Sequence, residues 1–367
     1  MKKQFNYYDW LVKNKYLKTT LFTISFFILK VIRLLIKIIP LEKKSVVVIS
    51  IHKLGDSIFT FDAINSIKKF FNEEVFIICN IDSMPIYELF FEKKYLVPVP
   101  KNYLHFGDRY SDHKARSLLR KLKPKTIIDL TGVMTSASLI FNSRANKIIG
   151  FNRVLFKGIY DSFREFQLGN HSREIYTNAI KDLIPIKEFN ESIKLTDFSD
   201  RILIAPFAGW TSKEWPLMKF IELSERMNKD FNVCIIFDDR KISEDILVYL
   251  KEKKIKFVKT KSVAELINEI KNCILLIGND SGPVQIAALL GKFTFTIYGP
   301  TNPKYHLPKG NNHLFIQTKI PCSPKETERL CFTDGGKNGC PSFECMHLST
   351  VNEVYNKIIS IIKILVY

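Results

Sequence analysis

The sequence predicts an α/β protein of two Rossmann-like domains, preceded by a basic amphipathic helix. The chain has 367 residues, which is enough for two domains with separate hydrophobic cores. Strand patterns alternate with helical patterns on both sides of residues 185–200, a polar stretch that is a plausible linker. The predicted segments are an arm (1–44), a first domain (45–190), a second domain (200–348) and a closing helix (349–367) that packs back on the first domain.

The composition is that of a soluble globular protein with an unusual charge. Hydrophobic residues make up 46% and charged residues 25%, both ordinary values, but the net charge is +18. The arm alone carries ten basic and two acidic residues, a net charge of +8. Of the seven cysteines, Cys79, Cys234 and Cys273 fall in predicted strands and are interpreted as core residues, so nothing requires an oxidising compartment.

The arm contains the most apolar stretch of the chain, residues 20–39. Lys30, Arg33 and Lys37 follow the spacing i, i+3 and i+7 and share one face of a helix. A spanning helix would place Lys30 near the bilayer centre at about 2.5–3.5 kcal/mol. A helix in the interface keeps the three cations at the headgroups and buries the apolar side. We therefore expect an anionic membrane surface as partner, with a single-pass anchor and a helix packed on the protein's own core as the alternatives.

The basic N-terminal arm also allows a nucleic-acid-binding module or a signal peptide as interpretations. A nucleic-acid-binding module is disfavoured because the charge lies beside an apolar helix and no aromatic and basic RNA-binding motif appears. No small-residue cleavage site follows the apolar stretch, which argues against a signal peptide. A second basic cluster is interpreted as a solvated face, with acceptor phosphates as the alternative contact. It consists of Lys114, Arg116, Arg120, Lys121, Lys123 and Lys125.

Each predicted domain begins with a strand, a loop and a helix. In the first domain this unit spans Ser45–Phe71, and Asp56 closes its loop; taken alone, Asp56 is a helix N-cap. In the second domain the loop Pro206–Trp215 contains Lys213. A later strand ends at Asp238 and Asp239, where open α/β sheets bind ligands, although these residues equally suit helix capping.

The segment Ile277–Pro303 reads IGNDSGPVQIAALLGKFTFTIYGPTNP and predicts a strand, a tight loop, a short helix and a second strand. Asn279, Asp280, Ser281 and Gly282 supply cap and turn chemistry, and Pro283 suits a first helical position. Such a helix start offers backbone N–H groups to an anion. Geometry alone favours an ordinary βαβ turn over an anion site.

The letters of this segment, NDSGPxxxAAxLGxxxxxxYGPTxP, closely resemble the C-terminal motif of family 9 glycosyltransferases, the ADP-heptose:lipopolysaccharide heptosyltransferases and their relatives. Three further blocks resemble the family in the same order: Leu54–Asp56, Asp129–Arg153 and APFAGWTSKEWP around Lys213. Together the four blocks cover Val46 to about Met346. The chain departs from the family at Asp62, where Pro is usual, and at Gln285, where many relatives have His beside the donor.

The resemblance implies a GT-B architecture of two facing Rossmann-like domains, an acceptor side and a nucleotide-sugar donor side. It implies inverting transfer of a sugar, heptose first, from ADP-heptose or another nucleotide sugar to lipopolysaccharide or a related lipid-linked saccharide. It assigns Asp56 as general base and Lys213 as a catalytic contact to the donor phosphates. No cofactor is expected, and no metal for the leaving group, because an Asp-x-Asp is missing. The donor-binding set is Lys213, Asp280, Ser281, Gly282, Pro283, Gln285 and, from its place at a strand end, Asp238.

The expected location is the cytoplasm, peripheral on the inner face of the cytoplasmic membrane. A catalytically silent nucleotide-sugar-binding relative remains the alternative function, since Gln285 cannot carry charge.

In the tail Cys322, Cys331, Cys340 and Cys345 are spaced by nine, nine and five residues, whereas zinc sites usually bring ligands in C-x₂₋₄-C pairs. A structural role without metal is the interpretation, and a structural zinc is the alternative.

Overall fold

The computed structural model describes residues 15–38, 44–100, 109–167, 169, 171–189, 200–238, 242–331, 340 and 342–366. They group into two compact units, which are described separately. Unit 1 comprises the described residues within 1–52, 59–167 and 173–189, and unit 2 those within 53–58, 168–172 and 190–367. The division after Phe189 falls inside the predicted linker. The short segment Lys53–Ile58 groups with unit 2, although the sequence placed it in the first domain.

Unit 1 is built on a six-stranded parallel sheet in the order β3-β2-β1-β4-β5-β6, the doubly wound Rossmann order. The first strand, SVVVIS, is buried along its whole length, as expected for a parallel strand covered on both faces. Its Val48 pairs with Ile77 on one side and Ile128 on the other. The strands are β1 (Ser45–Ser50), β2 (Val75–Asn80), β3 (Leu96–Val99), β4 (Pro124–Asp129), β5 (Lys147–Asn152) and β6 (Ser162–Glu165).

Buried carboxylates tie the helices of unit 1 to its loops. Asp129 accepts hydrogen bonds from Tyr160 (2.7 Å), Ser136 (2.8 Å) and two backbone N–H groups, and burial raises its pKa. Asp62, the residue in place of the family proline, accepts a hydrogen bond from the Phe189 N–H at 2.8 Å. Both are therefore structural residues. The helices are α1 (Lys15–Lys37), α2 (Leu54–Phe59, mostly in unit 2), α3 (Phe61–Phe70), α4 (Met84–Tyr87), α5 (Arg109–Lys121), α6 (Met134–Ile140) and α7 (Ser172–Asn178).

The charged face of α1 lies against unit 1, which corrects the prediction that Lys30, Arg33 and Lys37 point to lipid headgroups. Arg33 is 2% exposed; it donates to the carbonyls of Ser143 and Ala145 and lies 3.7 Å from Asp161. Lys37 pairs with Asp161 at 2.7 Å, and Lys30 donates to the Tyr160 carbonyl at 3.3 Å. Burying a guanidinium requires partners, and unit 1 supplies them.

The opposite, apolar face of α1 points outward. Its exposed side chains are Leu21, Ile24, Phe27, Ile28, Val31, Leu34 and Leu35, followed by Ile38. Among the described residues, Thr19–Lys37 is also the one helix segment that is long enough and apolar enough to cross a membrane. Because Arg33 of α1 makes buried contacts in unit 1, we expect this helix to contribute to the stability of the fold.

Unit 2 repeats the Rossmann order in a second six-stranded parallel sheet, β12-β11-β10-β7-β8-β9. The predicted parallel strands on either side of the NDSG loop are confirmed, because β10 pairs with β11 in parallel from Leu275↔Phe293 onward. The strands are β7 (Ile202–Ala205), β8 (Val233–Asp238), β9 (Phe257–Thr260), β10 (Leu275–Asn279), β11 (Phe293–Tyr298) and β12 (His313–Gln317).

The closing helix belongs to unit 2, which corrects the expectation that it packs back on the first domain. Its residues Val351, Val354, Ile358 and Ile362 are buried in the core of unit 2. The guanidinium of Arg226 also lies over the ring of Tyr355, 3.7 Å from its centroid. The helices of this unit are α8 (Leu217–Met227), α9 (Glu244–Glu252), α10 (Val263–Lys271), α11 (Gly282–Leu289), α12 (Pro303–His306), α13 (Glu344–His347) and α14 (Val351–Val366).

Candidate active site

The loops after β7 and β10 meet at the topological switch point of unit 2, because these strands are neighbours in the sheet but belong to its two halves. Ligands of open α/β sheets bind at such a point. Asn279 joins the two loops: its amide donates to the Pro206 carbonyl at 2.7 Å, and its oxygen accepts from the Trp215 N–H at 3.0 Å. The side chain of Asn279 therefore organises the loops and does not cap α11.

The start of α11 leaves hydrogen-bond donors unused. Ser281 occupies the N-cap position, but its hydroxyl makes no cap hydrogen bond. That oxygen is buried and has no hydrogen-bond partner among the described residues. Pro283 has no N–H, so the backbone donors of this turn are the amides of Gly282 and Val284. Together with the helix dipole they form a site suited to an anion.

Gly282 is closely packed. A Cβ at Gly282 would lie 3.0 Å from the Cβ of Leu54 and 3.9 Å from the Gly55 amide nitrogen. The segment Lys53–Ile58, which carries Asp56, therefore lies directly against the start of α11 within unit 2. The structure thus brings the predicted base and the predicted diphosphate site together.

Lys213 and Asp280 form a nearly buried ion pair. The Lys213 Nζ lies 2.7 Å from Asp280 Oδ2, which also accepts a hydrogen bond from the Thr301 hydroxyl at 2.8 Å. Burial alone would raise the pKa of Asp280, but the charge of Lys213 lowers it to about 2. The Lys213 ammonium also lies over the Trp210 ring, 4.7 Å from its centroid. Asp280 therefore holds the lysine in position and is itself kept as a carboxylate.

Asp56 lies in the first turn of α2, which begins at Leu54, so the N-cap interpretation of Asp56 is wrong. Its side chain is 47% exposed, and one carboxylate oxygen lies 3.9 Å from an Arg329 nitrogen. The Nε of Arg329 donates to Nε2 of His306 at 3.1 Å. Burial lowers the pKa of His306 to about 4, so the ring is neutral and can accept that bond. His306 thus orients Arg329 beside Asp56.

Gln285 has a defined structural task. Its amide nitrogen donates to the His306 carbonyl at 2.7 Å, and the side chain is 5% exposed. An amide suits this contact, since it donates a hydrogen bond without requiring charge. Gln285 therefore positions α12, which ends at His306, and its role as a donor-binding residue stays a prediction.

Asp238 lies at the end of a different strand from those that carry this cluster. It ends β8, which is separated from β10 by β7. This places Asp238 at the ligand-binding edge of the sheet but one strand away from the switch point. Asp239 lies outside the described residues.

The four tail cysteines, Cys322, Cys331, Cys340 and Cys345, line one small cavity of about 40 Å³. Burial, followed by the neighbouring cysteines, raises the pKa of Cys345 to about 11. Among the described residues, no group of three or more His, Cys, Asp or Glu side chains is arranged to hold a metal ion. The structural role without metal and the structural zinc therefore both stay predictions.

Three residues of the site were missed by sequence reasoning: Thr301, His306 and Arg329. Thr301 lies within the recognised YGPTNP letters and could have been selected from them. His306 and Arg329 follow no local pattern, and Arg329 is 273 positions from Asp56 in the numbering of the chain. Only the folded chain shows that they are neighbours.

Comparison with known proteins agrees with this geometry. The model of glycosyltransferase family 9 (heptosyltransferase) matches residues 163–333, which include Lys213, Asp280 and Arg329. Lipooligosaccharide heptosyltransferase 2 of Campylobacter jejuni is 24% identical over 285 residues, 74% of this chain and 86% of that protein.

Solved structures show the same fold. The glycosyl transferase family 9 structure from Veillonella parvula aligns with a TM-score of 0.72 at 18% identity, covering 88% of this chain and 98% of that one. The Escherichia coli ADP-heptose LPS heptosyltransferase II aligns with a TM-score of 0.66 at 15% identity, covering 86% and 98%. The predicted GT-B fold class is confirmed. The motif blocks, the family model over residues 163–333 and the shared fold agree with the predicted resemblance to glycosyltransferase family 9.

Proposed function

We propose that this chain transfers a heptosyl residue from ADP-heptose to a saccharide of the lipopolysaccharide or lipooligosaccharide core, with inversion at the anomeric carbon. The names of the related enzymes support the donor and the acceptor class. The observation that carries the proposal is the unpartnered, buried Ser281 hydroxyl at the start of α11, between the Lys213 ammonium and the segment that holds Asp56.

The residues have distinct tasks in this reaction. Asp56 takes the proton from the acceptor hydroxyl, whose oxygen attacks the anomeric carbon from the face opposite the diphosphate. The bond from that carbon to the phosphate oxygen breaks, and the nucleoside diphosphate leaves. Lys213, the Ser281 hydroxyl and the amides of Gly282 and Val284 stabilise the charge that develops on the leaving group. This set replaces the metal ion that Asp-x-Asp transferases use, so we propose that the reaction needs none.

A catalytically silent relative is the second candidate, and the geometry favours the enzyme. The departure at Gln285 is satisfied by the His306 carbonyl, so it leaves the Asp56 and Lys213 groups intact. A nucleic-acid-binding role has less support, because the cations of α1 are bound by unit 1.

The function is tested with the purified full-length chain, ADP-heptose and a heptose-deficient core acceptor, with mass-spectrometric detection of the product. We expect transfer with release of ADP, and unchanged turnover after treatment with EDTA. UDP-, GDP- and CMP-sugars serve as competing donors. If the chain binds ADP-heptose without any transfer, the silent relative is the correct function. If turnover is lost in EDTA and restored by magnesium or manganese, the metal-free mechanism is wrong.

We also propose that the protein is peripheral on the inner face of the cytoplasmic membrane, where a lipid-linked acceptor and a cytosolic nucleotide sugar are both accessible. The support is the outward apolar face of α1, since single exposed apolar residues are common but a continuous stripe of them is not. The inward Lys30, Arg33 and Lys37 contacts argue against a spanning helix, which would have to leave unit 1 and bury those cations in hydrocarbon.

A surface variant of α1 tests this location. Phe27 and Leu34 are 62% and 57% exposed, so Phe27→Ser together with Leu34→Ser is expected to leave the melting temperature almost unchanged. Vesicle binding is expected to fall by at least about tenfold, because each buried side chain contributes roughly 1.5–3 kcal/mol. Cosedimentation with vesicles measures the change. The matched control is Met218→Ser with Val248→Ser, two exposed apolar residues of unit 2. Equal binding by both double variants would contradict the assignment.

A further inference from the structure

A cavity of about 480 Å³ lies in unit 1 at the C-terminal end of α1. Its volume is within the range of small-molecule sites, roughly 300–1,000 Å³. None of the residues assigned to sugar transfer lines it, and its lining includes Ile36 of α1 and Ser143.

The lining of this cavity is cationic on one part and apolar on the other. Arg116, Arg120, Lys123 and Arg144 contribute four positive charges, and the lining contains no acidic residue. Ser143 is 8% exposed, and its hydroxyl has no hydrogen-bond partner among the described residues. Guanidinium groups and a hydroxyl donor match a phosphate, and the four apolar residues of the lining match the glycerol and acyl region attached to a lipid phosphate.

The cavity lies at one end of the parallel sheet of unit 1. Pro124 begins β4, and Ser143 and Arg144 precede β5, which begins at Lys147. The cavity therefore lies at the amino ends of the parallel strands. Substrates of doubly wound sheets bind at the carboxyl ends. This end of the sheet is available for a second ligand.

The cavity is continuous with the proposed membrane-binding helix. Ile36 of α1 lines it, and Arg33 binds the carbonyls of Ser143 and Ala145. The wall of the cavity and α1 are therefore held together by buried, charge-assisted hydrogen bonds. The adjacent end of α1 presents Leu34, Leu35 and Ile38 outward, at 57%, 59% and 73% exposure. When that face lies in the acyl region, lipid headgroups are at the level of the cavity.

We propose that this cavity binds the phosphate headgroup of an anionic membrane lipid and so fixes the orientation of unit 1 on the bilayer. The inference rests on the proposed membrane contact of α1 and is independent of the sugar-transfer reaction. It assigns part of the second basic cluster, Arg116, Arg120 and Lys123, together with Arg144, to one lipid molecule. Diffuse attraction of a basic surface to an anionic membrane needs no cavity. Experiments can therefore distinguish it from the binding of one lipid headgroup in this cavity.

The experiment uses the full chain and vesicles of phosphatidylcholine with or without phosphatidylglycerol. Arg120→Glu with Arg144→Glu reverses two exposed charges of the cavity; Lys114→Glu with Lys147→Glu makes the same change of charge on unit 1 outside it. We expect the cavity pair to lose at least about tenfold more affinity for anionic vesicles than the control pair. Binding to pure phosphatidylcholine should be unchanged in both, whereas Phe27→Ser with Leu34→Ser should lose binding to both kinds of vesicle.

A second measurement uses single lipid molecules. Short-chain phosphatidylglycerol below its critical micelle concentration is expected to raise the melting temperature of the wild type and of the control pair, but not of the cavity pair. Equal losses of vesicle affinity in the two charge-reversal pairs would overturn the proposal in favour of diffuse attraction. Equal stabilisation by inorganic phosphate at the same concentration would overturn it in favour of a free-phosphate site. Neither outcome affects the assignment of α1 or of the sugar transfer.

Discussion

Replacing Asp56 with asparagine is expected to lower turnover by about 10²–10⁴-fold, the usual contribution of a general base. Asparagine has nearly the same shape but cannot take the proton of the acceptor hydroxyl. The affinity for ADP is expected to stay the same, because the diphosphate contacts come from Lys213 and the start of α11. Initial rates of heptosyl transfer and calorimetric binding of ADP measure the two quantities.

The melting temperature of this variant should equal that of the wild type. Asp56 is 47% exposed, does not cap α2, and is paired only at 3.9 Å with Arg329. Exposed ion pairs of this kind contribute about 0–1 kcal/mol. Asp245→Asn is the matched control, since Asp245 is also an exposed aspartate in the first turn of a helix. If Asp56→Asn retains most of its transfer rate, the base is another residue; if it loses ADP affinity, the division of tasks is wrong.

Replacing Lys213 with methionine is expected to cost both activity and stability. The activity loss should be about 10²–10³-fold in turnover, comparable to removal of one donor from an oxyanion hole. The stability loss should be about 3–5 kcal/mol, because the carboxylate of Asp280 stays buried without its cation. Chemical denaturation and initial rates measure the two effects on the same preparation.

A double variant separates the catalytic task of Lys213 from its structural one. Asp280→Asn removes the buried negative charge. The double variant Lys213→Met with Asp280→Asn should therefore recover most of the stability that Lys213→Met alone loses. Its thermal and denaturant unfolding transitions should stay cooperative. Turnover should stay low if Lys213 stabilises the leaving diphosphate. Recovery of turnover together with stability would show that the lysine only neutralises Asp280. Asp280→Asn alone is the reference for the effect of the aspartate.

Much of the fold could be predicted because it depends on local patterns. Runs such as SVVVIS and LLIGN are apolar on both faces, which is typical of buried parallel strands, and the structure has both in central positions of their sheets. The NDSGP letters predicted the turn before α11 because a small polar residue at the N-cap position and a first-turn proline both favour the start of a helix. The recognised blocks likewise selected Asp56, Lys213 and Asp280 as candidate site residues, each at or near the start of a helix.

The orientation of α1 was decided by tertiary structure. The spacing of Lys30, Arg33 and Lys37 established that one face is charged, but periodicity does not state what each face contacts. Unit 1 offers Asp161 and the carbonyls of Ser143 and Ala145 to these cations, and only the fold places those groups together. Because the charged face of α1 contacts these groups, its apolar face points outward.

The closing helix and the partners of Asp56 were decided in the same way. The apolar stripe of α14 fits any complementary core, and the folded chain selects the core of unit 2. Arg329 and His306 reach Asp56 through contacts between residues far apart in the chain, which leave no periodic signal. The sequence by itself determined the strands, the turns and the recognised site residues, because these depend on near neighbours. The tertiary structure decided which faces pair and which distant side chains complete the site, because those choices depend on the whole packed core.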